Sequence, residues 1–126
     1  MRRYKWLYLS LALCLWPLSA RAVTRDTFLI RYTQDLIELC SAQETDPLYA
    51  AATGFCYGYL IGIYQYQVAS QEDPKGLDLF CMSDPPPSRE QGIKMFVSWV
   101  KQNPQYMGEK AVDTIARFLS TQWPCK

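Results

Sequence analysis

Histidine is absent from this chain of 126 residues. Without an imidazole, Ser-His-Asp and Cys-His catalytic arrangements and most zinc enzymes are excluded. No two cysteines have C-x-x-C spacing, which disfavours a zinc site made of four cysteines. The hydrophobic pattern contains no strand, and so no glycine-rich phosphate loop follows one. We therefore predict a protein that is not an enzyme and that holds neither a metal nor a cofactor.

The first 22 residues have the three parts of an export signal. Met1 to Lys5 is a basic start, Trp6 to Leu18 is an apolar run of 13 residues, and Ala20-Arg21-Ala22 has the small residues of a cleavage site. The apolar run is shorter than the roughly 20 residues of a membrane-spanning helix, which disfavours an uncleaved anchor. We expect cleavage after Ala22, a signal peptide of residues 1–22 and a mature domain of residues 23–126.

Removal of the signal would change the charge of the chain. Four of the 13 basic residues lie in the signal and none of the 12 acidic ones do, which leaves nine basic residues and a net charge of −3. Nucleic-acid binding needs a basic surface and is not expected of such a domain. A basic protein partner is compatible with this charge.

Four cysteines remain in the mature domain: Cys40, Cys56, Cys81 and Cys125. An even number of cysteines in a short exported chain predicts two disulfides and an oxidising compartment. The count alone allows three pairings.

Helical periodicity runs through the mature domain and predicts an all-α bundle of about four helices. Residues 24–42 place apolar side chains three and four positions apart, as in an amphipathic helix, with Tyr32 on the buried stripe. Asp46-Pro47 starts a second helix that extends to about Ser70, because Asp favours the N-cap and Pro the first helical position.

Two further helices are predicted in the C-terminal third. Ser88 and Gln91 form a capping box at the start of the third helix, which ends at Asn103-Pro104. The fourth helix starts between residues 104 and 109 and ends near Gln122. Its predicted buried stripe consists of Val112, Ile115, Ala116 and Leu119.

The second helix carries no charge between Pro47 and Gln71 and places Gly54, Gly58 and Gly62 in one smooth groove. Tyrosines lie on both flanks of the groove, and one flank is a candidate protein-binding surface. A membrane span is disfavoured because the tyrosines are scattered through the segment rather than placed at its ends. We interpret the segment as a central bundle helix surrounded by neighbours. The glycines predict a close helix crossing, by the same chain or by a second copy.

Residues 71–88 are predicted to form a long loop, broken by Pro74, Gly76 and the prolines at 85–87. Loops of this length are either functional or pinned to the domain, and Cys81 indicates a pinned one. Exposed carboxylates in and beside the loop are most simply solvated, and a glycosidase-type pair is disfavoured. They are the candidate partner-binding residues: Glu72, Asp73, Asp78, Asp84 and Glu90.

The order of these elements resembles the Rap/Tai immunity proteins. The resemblance rests on a helix that ends at Cys40, on G-F-C-Y-G-Y-L-I-G at residues 54–62, on Cys81 with prolines after it, on the helix that ends at Pro104, and on the terminal W-P-C. It covers nearly the whole mature domain. It implies a periplasmic all-α protein, often a homodimer, that occludes a cell-wall amidase delivered by type VI secretion. It implies no particular contact residues.

We further predict the disulfides Cys40–Cys56 and Cys81–Cys125. The first joins the end of the first helix to the second helix, and the second ties the long loop to the C-terminus. The alternative function is a small periplasmic stress chaperone of the HdeA type, which is also helical and disulfide-bonded. Client binding at low pH would favour the chaperone, and a hydrolase encoded next to this protein would favour immunity.

Overall fold

The computed structural model describes residues 21–126, so the predicted basic start and apolar run of the signal lie outside the described residues. Within this range the chain forms four α-helices and two short 3-10 helices and no strand, which confirms the all-α prediction. The α-helices are α1 (Thr33–Cys40), α2 (Tyr49–Glu72), α3 (Arg89–Gln102) and α4 (Ala111–Gln122), and the 3-10 helices are Arg25–Leu29 and Pro104–Tyr106.

The single first helix predicted for residues 24–42 is wrong, because the chain breaks at Ile30. Ile30 has a left-handed backbone conformation with φ of 39°. The carboxylate of Asp35 then accepts hydrogen bonds from the backbone N–H groups of Arg31 (2.8 Å) and Tyr32 (3.1 Å) and starts α1. This local capping competes with helix continuation. Tyr32, predicted to be buried, is 54% exposed as a result.

Within residues 21–126, helix α2 is covered on one side only. Its buried residues are Ala52, Cys56 and Leu60, four positions apart, and Gly54, Gly58 and Gly62 on another side are exposed. The predicted surrounding by neighbours is therefore wrong. At 1.5 Å per residue the 24 residues of α2 span about 36 Å, whereas the 8 residues of α1 span about 12 Å, so the shorter helices cannot enclose it. None of the helices in residues 21–126 is long and apolar enough to cross a membrane.

The core lies where the four helices meet. Leu36 and Leu39 of α1, Phe96 and Val100 of α3 and Cys56 of α2 are almost completely buried.

A buried polar contact joins α1 to the start of α4. The backbone N–H of Thr33 donates to the carbonyl of Glu109 (2.8 Å), and the Thr33 hydroxyl lies 2.8 Å from the Thr114 hydroxyl. Both threonine side chains are thus buried with hydrogen-bond partners.

The capping box that starts α3 is confirmed, with reciprocal hydrogen bonds between Ser88 and Gln91. The buried stripe of α4 differs from the prediction. Ile115 and Leu119 are buried as expected, but Val112 is 47% exposed and Ala116 is only half-buried. Ala111, Thr114 and Phe118 are buried in its place, because the helix is rotated toward the Thr33 contact and the aromatic ring of Phe96.

Both predicted disulfides are confirmed. Cys40 bonds to Cys56 with a Cα–Cα distance of 5.2 Å, and Cys81 bonds to Cys125 with a Cα–Cα distance of 4.9 Å. The first bond joins α1 to the buried side of α2. The second attaches the connection between α2 and α3 to the segment that follows α4.

Candidate functional site

The connecting loop, residues 73–88, is fixed to the helical body at its middle. Besides the disulfide, the backbone N–H of Cys81 donates to the carbonyl of Trp123 at 2.8 Å. Phe80 is buried against Tyr64, with ring centroids 5.9 Å apart, and its carbonyl accepts a hydrogen bond from the Gln71 side chain (2.6 Å). The sequence analysis identified Cys81 as the anchor and missed Phe80. An isolated aromatic residue beside a cysteine in a polar loop was the available signal.

The first part of the loop, residues 73–79, is folded back on the end of α2, and we call it the loop tip. The Gly76 N–H donates to the carbonyl of Asp73 (2.7 Å), and the Asp73 carboxylate accepts the N–H of Lys75 (2.9 Å). A Cβ added at Gly76 would collide with the backbone carbonyl oxygen of Ser70. Only glycine therefore allows this close approach, which sets the direction of the tip.

Two leucines of the loop tip point into solvent. Leu77 is 78% exposed and Leu79 is 40% exposed, although both are apolar. The exposed carboxylate of Asp78 lies between them in sequence, and that of Asp73 lies four residues before Leu77. An apolar centre with a charged rim is the composition of many protein-binding surfaces. The sequence analysis proposed the carboxylates and missed the leucines, for which Leu-Asp-Leu in a loop was the available signal.

The predicted partner-binding carboxylates are all exposed, but they do not gather at one point. Within residues 21–126 no group of three or more acidic or cysteine side chains is arranged to hold a metal ion. Glu90 lies in the first turn of α3 and forms an ion pair with Lys94 at 2.7 Å. This hydrogen bond and the charge of Lys94 lower the pKa of Glu90, and the same contact raises the pKa of Lys94.

The acidic charge of the mature domain is concentrated beside the loop. Residues 72–90 contain five carboxylates and two cations, a net charge of −3. The rest of the domain from Val23 onwards contains seven acidic and seven basic residues and is neutral. Because Lys94 forms an ion pair with Glu90, the uncompensated excess of this segment is two negative charges, carried by residues 72–89.

An apolar groove of about 230 Å³ separates the second half of α2 from the connecting loop and α3. Leu60, Ile61 and Tyr64 form one wall, and Met82, Pro86 and Pro87 form part of the opposite wall. The prolines predicted only as helix breakers thus also line a concave surface beside α2.

The glycine face of α2 is open. A Cβ added at Gly54, Gly58 or Gly62 would meet no atom within 4 Å other than those of the adjoining backbone of α2. Of the two predicted alternatives, a close crossing by a helix of the same chain is not formed within residues 21–126, and a crossing by a second copy stays a prediction. Phe55 and Tyr66 beside this face are 41% and 72% exposed, and no charged residue lies between Pro47 and Gln71.

Aromatic side chains border the glycine face near the start of α2. Phe55 stacks on Tyr59 with centroids 6.4 Å apart and contacts the edge of Phe28 at 5.6 Å. Partial burial raises the pKa of the Tyr59 phenol. Of the four tyrosines that flank the glycines, Tyr66 alone is fully exposed, while Tyr57, Tyr59 and Tyr64 are half-buried.

Comparison with known proteins gives one family. A family model described as Rap1a immunity proteins matches residues 32–125. No curated protein and no solved structure matches the chain. The matched range contains all four α-helices, both disulfides and the connecting loop.

Proposed function

The chain belongs to the Rap1a immunity protein family, and we propose that it protects its cell by binding a peptidoglycan amidase effector of a type VI secretion system. The family match supports an immunity role and a protein partner. The amidase is the target implied by the resemblance to the Rap/Tai proteins. Inhibition by occlusion requires no chemistry from the immunity protein, in agreement with a chain that has no histidine.

We place this activity in the periplasm, after removal of a signal peptide of residues 1–22. The basic start, the short apolar run and the small residues before Val23 support export. The two disulfides support an oxidising compartment, because such bonds are rare in the reducing cytosol.

The surface proposed for the effector is the loop tip, with Leu77 at its centre. A rigid element binds with less loss of conformational entropy than a flexible one. The loop has this rigidity at Phe80 and Cys81, which fix its base, and at Gly76, which folds the tip on α2. Leu77 is thereby presented as a projecting apolar side chain that can enter a cleft.

The carboxylates around the tip are proposed to guide the encounter. A net charge of −2 in residues 72–89 attracts a partner with a basic cleft rim and raises the association rate at low salt. Because these carboxylates are exposed, salt screens them, and the Debye length falls to about 8 Å at physiological ionic strength. Association should therefore slow as salt is added, with a smaller effect on dissociation.

The glycine face of α2 is proposed as the seam of a homodimer. A two-fold interface brings the same patch of both copies together, so a patch without charge has no like-charge repulsion to overcome. Small residues at Gly54, Gly58 and Gly62 let two helix backbones approach closely. Helix-destabilising glycines on an exposed face, each less favourable than alanine by about 1 kcal/mol, are explained by such an approach.

Protection of cells tests the immunity function. The full chain is co-expressed with an exported amidase effector encoded in the same genome, and the control is a chain that starts at Met-Val23 and lacks the signal. Growth should be rescued by the full chain and not by the control, and the mature protein should co-elute with the amidase in gel filtration. Rescue by neither chain, with no complex at micromolar concentrations, would overturn the proposal.

Light scattering coupled to gel filtration tests the homodimer. Gly58→Arg places a charged side chain on the glycine face and should convert the dimer to a monomer. Gly108→Arg is the matched control, because Gly108 is also exposed and open but lies in the turn before α4. A parent protein that is monomeric at all concentrations, or a Gly58→Arg variant that remains dimeric, would contradict this seam.

A further inference from the structure

The backbone nitrogen of Val23 is held by the carboxylate of Asp46. The Val23 N–H donates to Asp46 Oδ2 at 2.8 Å, and the other carboxylate oxygen, Oδ1, accepts the Leu48 N–H at 2.8 Å. The Val23 side chain is 7% exposed, so the residue is seated in the core. One carboxylate thus connects the start of the mature domain to the turn that precedes α2.

The two residues before Val23 lie across a surface depression. Arg21 and Ala22 line it together with Glu38 of α1, Lys101 of α3, Ser41 and Asp46. Arg21 pairs with Glu38 at 3.6 Å and is largely exposed. The depression therefore contains two carboxylates and two cations, and one of these cations, Arg21, belongs to the predicted signal peptide.

We propose that Asp46 is the receptor for the mature N-terminus, so that removal of the signal creates an ion pair between the Val23 α-ammonium and Asp46. The proposal rests on the proposed export with cleavage after Ala22. Hydrolysis of the Ala22–Val23 bond consumes one water, leaves a carboxylate on Ala22 and an amine on Val23, and the amine takes up a proton at neutral pH. Val23 is buried in the folded domain, so hydrolysis precedes folding.

The geometry needed for this ion pair is already present. The Val23 nitrogen lies at hydrogen-bond distance from Oδ2. Hydrolysis of the Ala22–Val23 bond and protonation of the resulting amine turn this neutral amide donor into a charged ammonium donor at the same nitrogen. The hydrogen bond already has an ionised acceptor, the carboxylate of Asp46. A charged donor adds Coulomb attraction between the two groups, which the neutral amide does not have. The buried Val23 side chain holds the terminus in place, which reduces the entropy lost on pairing.

Charge balance in the depression gives the second argument. Processing removes Arg21, which would leave Glu38 and Asp46 with Lys101 as their only cation among the residues that line the depression. The new α-ammonium restores two charges of each sign. Processing therefore removes the exposed ion pair between Arg21 and Glu38 and creates an ion pair between Asp46 and the amine of the buried residue Val23.

A pH dependence with a defined sign follows from the pairing. Asp46 and Glu38 favour the charged amine and Lys101 opposes it, and the nearer group, Asp46, should raise the pKa of the α-amino group above its ordinary value of about 8. The stabilisation is then present at pH values below about 8 at which the Asp46 carboxylate is ionised, and it is lost as pH rises through the raised pKa of the amine.

A double-mutant cycle with processed and extended chains tests the proposal. One chain begins at Val23 and the other at Ala22, both released from a cleavable fusion, and each is made with Asp46 and with Asp46→Asn. At pH 6.5 the Val23 start should lower the unfolding equilibrium constant about tenfold relative to the Ala22 start. The advantage should be absent in the Asp46→Asn pair and should shrink toward pH 10. An equal advantage in both backgrounds, or none in either, would overturn the pairing.

Intact mass spectrometry of the exported protein tests the processing site itself. The mature mass should correspond to residues 23–126, and a start at any other residue would overturn the proposal that processing creates the pair. Protection against the effector is scored separately. A chain that pairs Val23 with Asp46 but fails to protect would contradict the immunity function and leave the pairing supported.

Discussion

The helical body and the connecting loop are each closed by one disulfide, but their surroundings differ. In the body, Cys56 is 1% exposed and lies between Ala52 and Leu60 on the packed side of α2, where apolar contacts already hold the helices. In the loop, Phe80 is the single buried residue among residues 73–88. The disulfide in the body stabilises helices that are already held by apolar packing, whereas the disulfide in the loop holds a segment that has little packing of its own. The loop is therefore the region whose geometry depends most on its covalent link.

Removal of the loop disulfide should give the largest effect. Cys81→Ala with Cys125→Ala opens a link across 44 residues, for which loop-closure entropy predicts a loss of about 4 kcal/mol in the free energy of unfolding. The freed tip should also bind the effector much more weakly than the parent. Urea denaturation and calorimetric titration measure the two effects. Unchanged affinity for the effector would show that the loop does not need to be pinned.

Removal of the body disulfide should affect stability without affecting recognition. Cys40→Ala with Cys56→Ala opens a link across 16 residues and should lower the free energy of unfolding by about 3 kcal/mol. The fraction that remains folded should bind the effector as tightly as the parent, because the loop disulfide is intact. If the fully folded variant binds the effector more weakly than the parent, the claim that only the loop disulfide affects recognition is contradicted.

Gly76 provides a smaller change within the loop. Gly76→Ala forces a Cβ against the backbone carbonyl of Ser70, and relief of this overlap should lower the free energy of unfolding by about 1–2 kcal/mol. Because the tip must move to make room, effector binding should weaken as well. Calorimetric melting of Gly76→Ala with the same melting temperature as the parent would contradict the close approach.

Gly58 provides the matched change in the body, with the opposite sign. Its Cβ position is open, so Gly58→Ala should raise the stability of the monomer by up to about 1 kcal/mol through helix propensity. Urea denaturation, at protein concentrations too low for the dimer to form, measures this change in the free energy of unfolding. A loss of stability in the monomer would mean that the glycine face is already occupied by its own chain.

Much of the fold could be predicted because its signals are local. The capping box at Ser88 and Gln91 and the stop at Asn103-Pro104 depend on residues that are neighbours in sequence. The predicted start of α2, with Asp46 as N-cap and Pro47 as the first helical residue, is wrong by two residues. The helix begins at Tyr49 with Leu48 as N-cap, because Asp46 accepts the Leu48 N–H in the turn before it. The disulfide pairing followed from the order of the helices. The capping box and the helix stop need no knowledge of which helix faces which.

The remaining features depend on three-dimensional placement and could not be predicted. The break at Ile30 arises from capping by Asp35, which competes with a continuous helical pattern. The rotation of α4 follows from the contact between Thr33 and Thr114, which are 81 residues apart. A helix without charged residues has the same sequence pattern whether one side or all sides are covered. The exposure of the glycine face could therefore not be predicted from the sequence. The exposure of Leu77 was indicated only by the presence of a leucine in a polar loop.

Leu77→Asp tests the central claim, that the pinned loop tip binds the effector. The change removes an exposed apolar side chain and should leave the melting temperature unchanged, since Leu77 is 78% exposed. The matched control is Leu29→Asp, because Leu29 is 59% exposed but lies in the first 3-10 helix.

The decisive measurement is the dissociation constant of the purified mature protein and its amidase effector, determined by calorimetric titration for the parent and both variants. Leu77→Asp should weaken binding by about 30-fold or more, the loss of an interface hot spot of about 2 kcal/mol, while Leu29→Asp should bind like the parent. If Leu77→Asp remains folded and binds as tightly as the parent, the loop tip is not the binding surface and the account of the site is contradicted.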